Sequence, residues 1–381
     1  MKNVFRIMLI AAVATLFALP AYAQDAAAGQ AALTPAQEEE KAKLYGQFLE
    51  LIKGGPDQQR QASAVGKEYL TKYGTPEDDI VKYIRGWVSK YDAAVRDFEF
   101  NKTLTDKNYA RAFEMGRQML SENPDNVALA LTLSRVGLGN ATAGAQANKG
   151  LNPDALRFTR AAIQLVESGK APAKWDPFTS REDALGWLHY THGFLTLETS
   201  PEEAMTALLK AAQSNSTVTK EPATFFHLGN AYVNGEYKKA VAAYKAAFPD
   251  GVEITEDRKA QYDQLIGQVN GSLDRIIDAY ARAVALSTKP EQAKFKADLT
   301  TQLATYHKAR HENSTAADVQ TLIGSVLSRP LPQPGQPAAP ETPAAAATTP
   351  AAATTTQPAA ANGAKPAATP ANTTTPTRPK R

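Results

Sequence analysis

Residues 193–211 read GFLTLETSPEEAMTALLKA, and residues 229–247 read GNAYVNGEYKKAVAAYKAA. The two stretches agree at positions where helix pairs pack. Gly193, Ala204, Leu208 and Ala211 of the first fall on Gly229, Ala240, Tyr244 and Ala247 of the second, 36 residues on. The later part of the pattern returns as Ile276, Tyr280 and Ala283. A fixed period of about 20 to 50 residues marks units that cannot bury a core alone and stack to share one. Ala204, Leu208, Ala211 and Ala212 also lie on one face of a 3.6-residue helix. The small residues let a second helix approach closely, and the large ones fill the groove beside them.

Outward from this centre the chain reads as helix nearly throughout, from Gln24 to Arg329. Start signals recur with one chemistry: a side-chain acceptor at the N-cap, proline at the first helical position, and an acid or amide at the third. Thr34-Pro35-Ala36-Gln37, Thr75-Pro76-Glu77-Asp78 and Ser200-Pro201-Glu202-Glu203 follow it, and Asn152-Pro153 is the same device without the last partner. Proline is tolerated there because that N–H has no intrahelical acceptor. Stops fall at Gly54-Gly55-Pro56, Tyr73-Gly74, Asn123-Pro124 and Pro249-Asp250-Gly251. Alternation of period 2 is absent, so the expected class is all-α. The stretch from Gly137 to Gly150 reads as a flexible connector.

The ends differ from this body. Lys2 and Arg6, an apolar run from Ile7 to Leu19 and Ala21-Tyr22-Ala23 read as a cleavable signal peptide over 1–23. A short flexible segment is expected over 24–34, and the folded domain over 35–329. Export places the protein in the periplasm or outside the cell. The chain has no cysteine, which excludes a cysteine-linked lipid anchor and disulfides. From Pro330 to Arg381 the chain is mostly Pro, Ala and Thr, with half of its 24 prolines and a single leucine, Leu331. Such a segment buries too little apolar surface to offset its ordering entropy, so 330–381 is expected to be a disordered spacer. The net charge of +3 comes from the two ends. The body has no basic excess, which argues against a nucleic-acid partner.

The clearest unit, Phe225 to Pro249, resembles a tetratricopeptide repeat. Phe225, Leu228-Gly229 and Tyr232 match the first helix of that family, and Ala240, Tyr244, Ala247 and Pro249 the second, with one residue lost from the turn. Gly193 through Ala211 has the same shortened spacing, with His189 and His192 where an aromatic and a leucine are usual. Tyr109, Ala112, Gly116, Met119 and Pro124 follow the second-helix spacing, and Ala62, Gly66, Tyr69, Leu70 and Tyr73 echo that segment. The resemblance implies helical hairpins stacked in a right-handed α-solenoid. It also implies a concave surface where peptides or partner helices dock. In the clearest unit Phe226, Asn230, Val233 and Asn234 would line that groove, and Asn230 matches the asparagine that holds a ligand's backbone in peptide-binding members.

Residues that could carry chemistry are sparse. His307 and His311 share a helix face, but Lys308 stands where a zinc protease needs glutamate. His189 and His192 follow Trp187 in an aromatic-rich helix, and read as packing residues or a weak sugar or metal site. Glu38-Glu39-Glu40, Asp78-Asp79 and Glu202-Glu203 lie in first helical turns, where the helix dipole favours acids. Gly139 and Gly144 have the spacing of a phosphate-binding loop without its lysine. The sequence therefore points to an exported, non-enzymatic scaffold for protein or peptide binding, without cofactor or metal. An envelope enzyme or accessory factor, and a wall-associated spacer acting through its tail, are the alternatives.

Overall fold

The computed structural model describes residues 33 to 335, Val252 excepted. The expected signal peptide, most of the segment 24–34 and the tail beyond Gly335 lie outside the described residues. Among the described residues every regular element is helical and none is a strand. No described helix is long and apolar enough to cross a membrane. Between Phe98 and Glu99 the chain divides into two compact units.

The first unit contains α1 (Pro35–Leu51), α2 (Pro56–Tyr73) and the start of α3 (Asp79–Thr105). Thr34 caps α1 as its sequence demands: Gln37 N donates to Thr34 Oγ1, and Thr34 N donates back to Gln37 Oε1 at 2.8 Å. The start of α3 differs from expectation. Thr75-Pro76 precedes the helix, and Asp78 is its cap, accepting from Val81 N at 2.7 Å. That backbone bond, with Lys41 nearby, holds the Asp78 carboxyl below its ordinary pKa although burial opposes the shift. Phe48, Tyr69 and Ile84 are fully buried at the centre of this unit. A Cβ on Gly66 would lie 2.7 Å from Val88, so α2 packs at a distance only glycine permits.

The second unit runs through α4 (Tyr109–Glu122), α5 (Val127–Ala141), α6 (Asn152–Glu167), α7 (Arg181–Thr196), α8 (Pro201–Gln213) and α9 (Pro222–Tyr232). Each of these packs on the next. The unit continues with α10 (Lys238–Ala247), α11 (Lys259–Leu286), α12 (Ala293–Arg310) and α13 (Ala316–Ser325). The long α11 is the hub of this half, with α9, α10, α12 and α13 packed on it. The stretch from Gly137 to Gly150 is not a loose connector. Its first third is the end of α5, and Asn140 pins the rest: its amide donates to Asn148 O and accepts from Asn148 N.

The repeat positions behave as expected in one place and not in the next. Gly193 of α7 meets α8 so closely that a Cβ would lie 2.5 Å from Leu208. Ala204, Leu208 and Ala211 are fully buried there. One period later there is no hairpin. α9 runs into α10 through a π turn, Val233–Tyr237, with helical backbone on both sides of it. Gly229 therefore does not face Tyr244. A Cβ on Gly229 would lie 2.3 Å from the ring of Tyr280, in the third copy of the pattern on α11. Tyr244, buried like Ala240, packs instead against Phe248 and Tyr262, while Ala247 is half-buried.

Tertiary contacts explain why the turn expected between the two helices of this unit stays helical. An i→i+5 turn brings residues five apart onto one face. Tyr232 and Tyr237 are both buried by it. Glu236, between them, takes the guanidinium of Arg275 on α11, with Nε at 2.8 Å. The packing of α11 beyond Arg329 is also more extensive than expected: residues 330–333, the start of the expected tail, lie along it and Leu331 packs against the core.

Candidate functional site

An open cleft of about 510 Å³ lies across α6, α7 and α8. Its floor comes from α7, where His189 and His192 are one turn apart and so share a face. Arg160, Ile163 and Glu167 form the α6 wall, and Glu203 and Lys210 stand on α8.

The walls are tied together through Glu203. Its Oε1 accepts from the Arg160 guanidinium and lies 2.7 Å from His192 Nε2. Burial pushes the Glu203 carboxyl up, but the hydrogen bonds from Arg160 and His192 outweigh it, and the net pKa is lowered. Burial, reinforced by the charge of Lys210, holds His189 down to about 4. Its Nε2 sits 3.7 Å from Glu167, beyond hydrogen-bond range. At neutral pH the floor therefore offers an uncharged imidazole. The exposed Lys210 makes no ion pair among the described residues. The cleft thus holds one fixed, neutralised Arg–Glu pair and one lysine able to meet an anionic side chain.

Asp183 fixes the floor helix. Its side chain accepts from Thr179 N, Ser216 Oγ, Thr217 N and Thr217 Oγ1, at 2.8 to 3.0 Å. Burial would raise this carboxyl, but the four donors overcome it and hold it at about 2. Gly186, one turn on, is where the 214–217 loop crosses: a Cβ there would lie 2.4 Å from Ser216.

Of the residues expected to line a peptide groove, Phe226 and Asn230 face α11 instead. Phe226 stacks on Tyr280 and meets the edge of Phe295. Asn230 Oδ1 accepts from Tyr280 Oη at 2.7 Å, so the oxygen expected to meet a ligand's backbone already has an acceptor role inside the fold. Val233 and Asn234 fall in the π turn, half-buried. Trp187 and Phe226 do belong to one feature. Rings pass in contact from Trp187 to Tyr190, His227 and Phe226. His227 is held neutral by burial, down to about 4, and its Nδ1 has no hydrogen-bond partner.

Among the described residues no group of three or more His, Asp or Glu is placed to hold a metal ion. His307 meets Ser314 Oγ at 2.6 Å, and its ring lies tilted against that of His311. His189, His192 and Glu203 stand out in the sequence, the histidines as packing residues or a weak sugar or metal site and Glu203 as a first-turn acid. Arg160, which meets Glu203 only in space, and Lys210, whose one signal is its place two turns after Glu203 on α8, do not stand out. No protein-family model matches the chain, and no curated protein matches it in sequence.

Proposed function

We propose that the protein is an exported, non-enzymatic helical scaffold of tetratricopeptide-like build that binds a protein or peptide partner in the cell envelope. The observation carrying this reading is the α6–α8 cleft, an open surface with prearranged charge and one lysine that makes no ion pair among the described residues. The successive packing of α4 to α9 supports the solenoid part, with α10 as an interruption. A partner presenting an acidic side chain suits the cleft: the carboxylate meets Lys210, and the neutral His189 ring accepts or donates beside it. An enzymatic reading has less support. His189 is too acidic for a general base near neutral pH, and Glu203 is engaged by Arg160 and His192.

The test is capture of partners from native envelope extract by the mature chain and by Lys210→Glu. Reversal of the charge should reduce the captured partner at least tenfold, with the helical circular dichroism unchanged. Equal capture by both proteins would rule out the cleft as the contact surface.

A further inference from the structure

α11 carries two buried arginines, Arg275 and Arg282, whose side chains are 3% and 7% exposed. They are two turns apart on one face, a separation of about 10 Å along the axis. A carboxylate holds each from behind. Glu236 of the π turn pairs with Arg275, and Asp278 takes Arg282 Nε at 2.6 Å. Each guanidinium also donates to main-chain carbonyls of residues 329–333. Arg282 Nη2 reaches Arg329 O at 2.7 Å and Pro330 O at 3.2 Å, and Arg275 Nη1 reaches Gln333 O at 3.2 Å. The strap therefore runs antiparallel to α11.

The spacing fits an extended chain. Polyproline II rises about 3.1 Å per residue, so the step from Pro330 O to Gln333 O covers about 9 Å, close to the two-turn separation of the arginines. Leu331, between the two grips, packs against the core. Gln213 of α8 donates to the Gln333 side chain at 3.2 Å. The sequence Arg329-Pro330-Leu331-Pro332-Gln333-Pro334 suits a groove whose main-chain contacts are donations from arginine. Every second residue is proline, so few strap N–H groups need acceptors, and a proline-rich strap arrives with little ordering entropy to lose.

We propose that this α11 groove is a recognition site for an extended, proline-rich segment bearing one aliphatic residue, and that residues 329–334 occupy it in cis as a built-in competitor. The occupant in trans is a partner protein with such a segment. Leu331 is the only large aliphatic residue of 330–381, so the rest of a second copy's tail does not supply the motif. The site is separate from the α6–α8 cleft and stands or falls independently of it.

The experiment titrates the mature chain into a fluorescein-labelled peptide of sequence Arg-Pro-Leu-Pro-Gln-Pro and reads anisotropy. The unaltered chain should bind weakly, because its own strap fills the groove. Leu331→Asp, which releases the strap, should bind at least tenfold more tightly. Adding Arg275→Lys to Leu331→Asp should abolish the gain, because lysine lacks the second donor of the fork. A peptide with aspartate in place of leucine should not bind, and Lys210→Glu should have no effect. The proposal is overturned if Leu331→Asp keeps its helical spectrum and gains no peptide binding, or if the unaltered chain binds as tightly as it does. Should Leu331→Asp fail to fold, Leu331→Ala is judged by the same two outcomes.

Discussion

Single residues decide how closely these helices approach. At Gly229 the space a methyl group would need is filled by the ring of Tyr280, itself fully buried and bonded to Asn230. Gly229→Ala should destabilise the protein by about 2 kcal/mol, as overpacking of a filled core does. Gly267 is the control, since it sits within α11 with open space around its Cβ position. Gly267→Ala should stabilise by up to about 1 kcal/mol through helix propensity. Urea unfolding of both variants checks the contrast. Acid sensitivity also belongs to single residues. His189 and His227 are held at about 4 against an ordinary 6.5, both chiefly by burial. Between those values the unfolded chain takes up protons that the folded chain refuses. Stability should be full above pH 6.5 and fall as the pH drops toward 4, and His227→Phe should flatten part of that slope. Asp183, held at about 2 against 3.8, adds a second window. Its contribution, on the order of 2 kcal/mol, is present above pH 4 and lost as the pH falls toward 2.

At the scale of elements, the π turn and the strap are the two departures from a plain repeat, and Arg275 joins them. Glu236 turns toward α11 only because the π turn carries it there, and Arg275 then has a donor left for Gln333 O. Glu236→Ala leaves a buried guanidinium short of its carboxylate and should cost about 3 kcal/mol. Chemical denaturation should show that loss, and Glu236→Gln a smaller one. Truncation separates the strap from the tail. A chain ending at Gly335 should keep its apparent Tm within about 1 °C, because Pro, Ala and Thr bury little. A chain ending at Arg329 loses the Leu331 contact and carbonyl acceptors of both arginines, and its apparent Tm should fall by several degrees. Helix starts were the most legible elements. Thr34 caps α1 as read, because capping is settled within four residues; α8 starts at Pro201 as read without a bond from the Ser200 side chain, and Asn152 lies inside α6 rather than capping it. The repeat resemblance misled between Tyr232 and Ala240, where the implied turn was outweighed by the burial of Tyr232 and Tyr237 and the pairing of Glu236.

For the whole molecule, the described chain has separate cores in its two units. Phe48 belongs to the first core, and Leu208 to the second. Phe48→Ala and Leu208→Ala should each cost about 3 kcal/mol, but in different parts of the chain. Hydrogen exchange should show the loss of protection confined to residues before Phe98 in one case and after Glu99 in the other. A uniform loss in either variant would mean that the two units unfold as one. The candidate cleft belongs wholly to the second unit and was half legible. His189, His192 and Glu203 stood out in the sequence. Arg160 did not, because 43 residues separate it from the glutamate it binds.

The sequence by itself determined that the chain is helical, where several of its helices begin and stop, and which small residues lie at close contacts. These properties follow from capping and 3.6-residue periodicity, which act over a few neighbouring residues. The tertiary structure decided which copy of the repeat meets which. Tyr244 and Tyr280 stand at equivalent positions of the pattern, and Gly229 takes the more distant one. It also decided that Arg275 and Arg282 hold a strap and that α6, α7 and α8 form a cleft. Such pairings depend on comparing near-equivalent partners far apart in the chain, and that comparison is made only when whole helices pack.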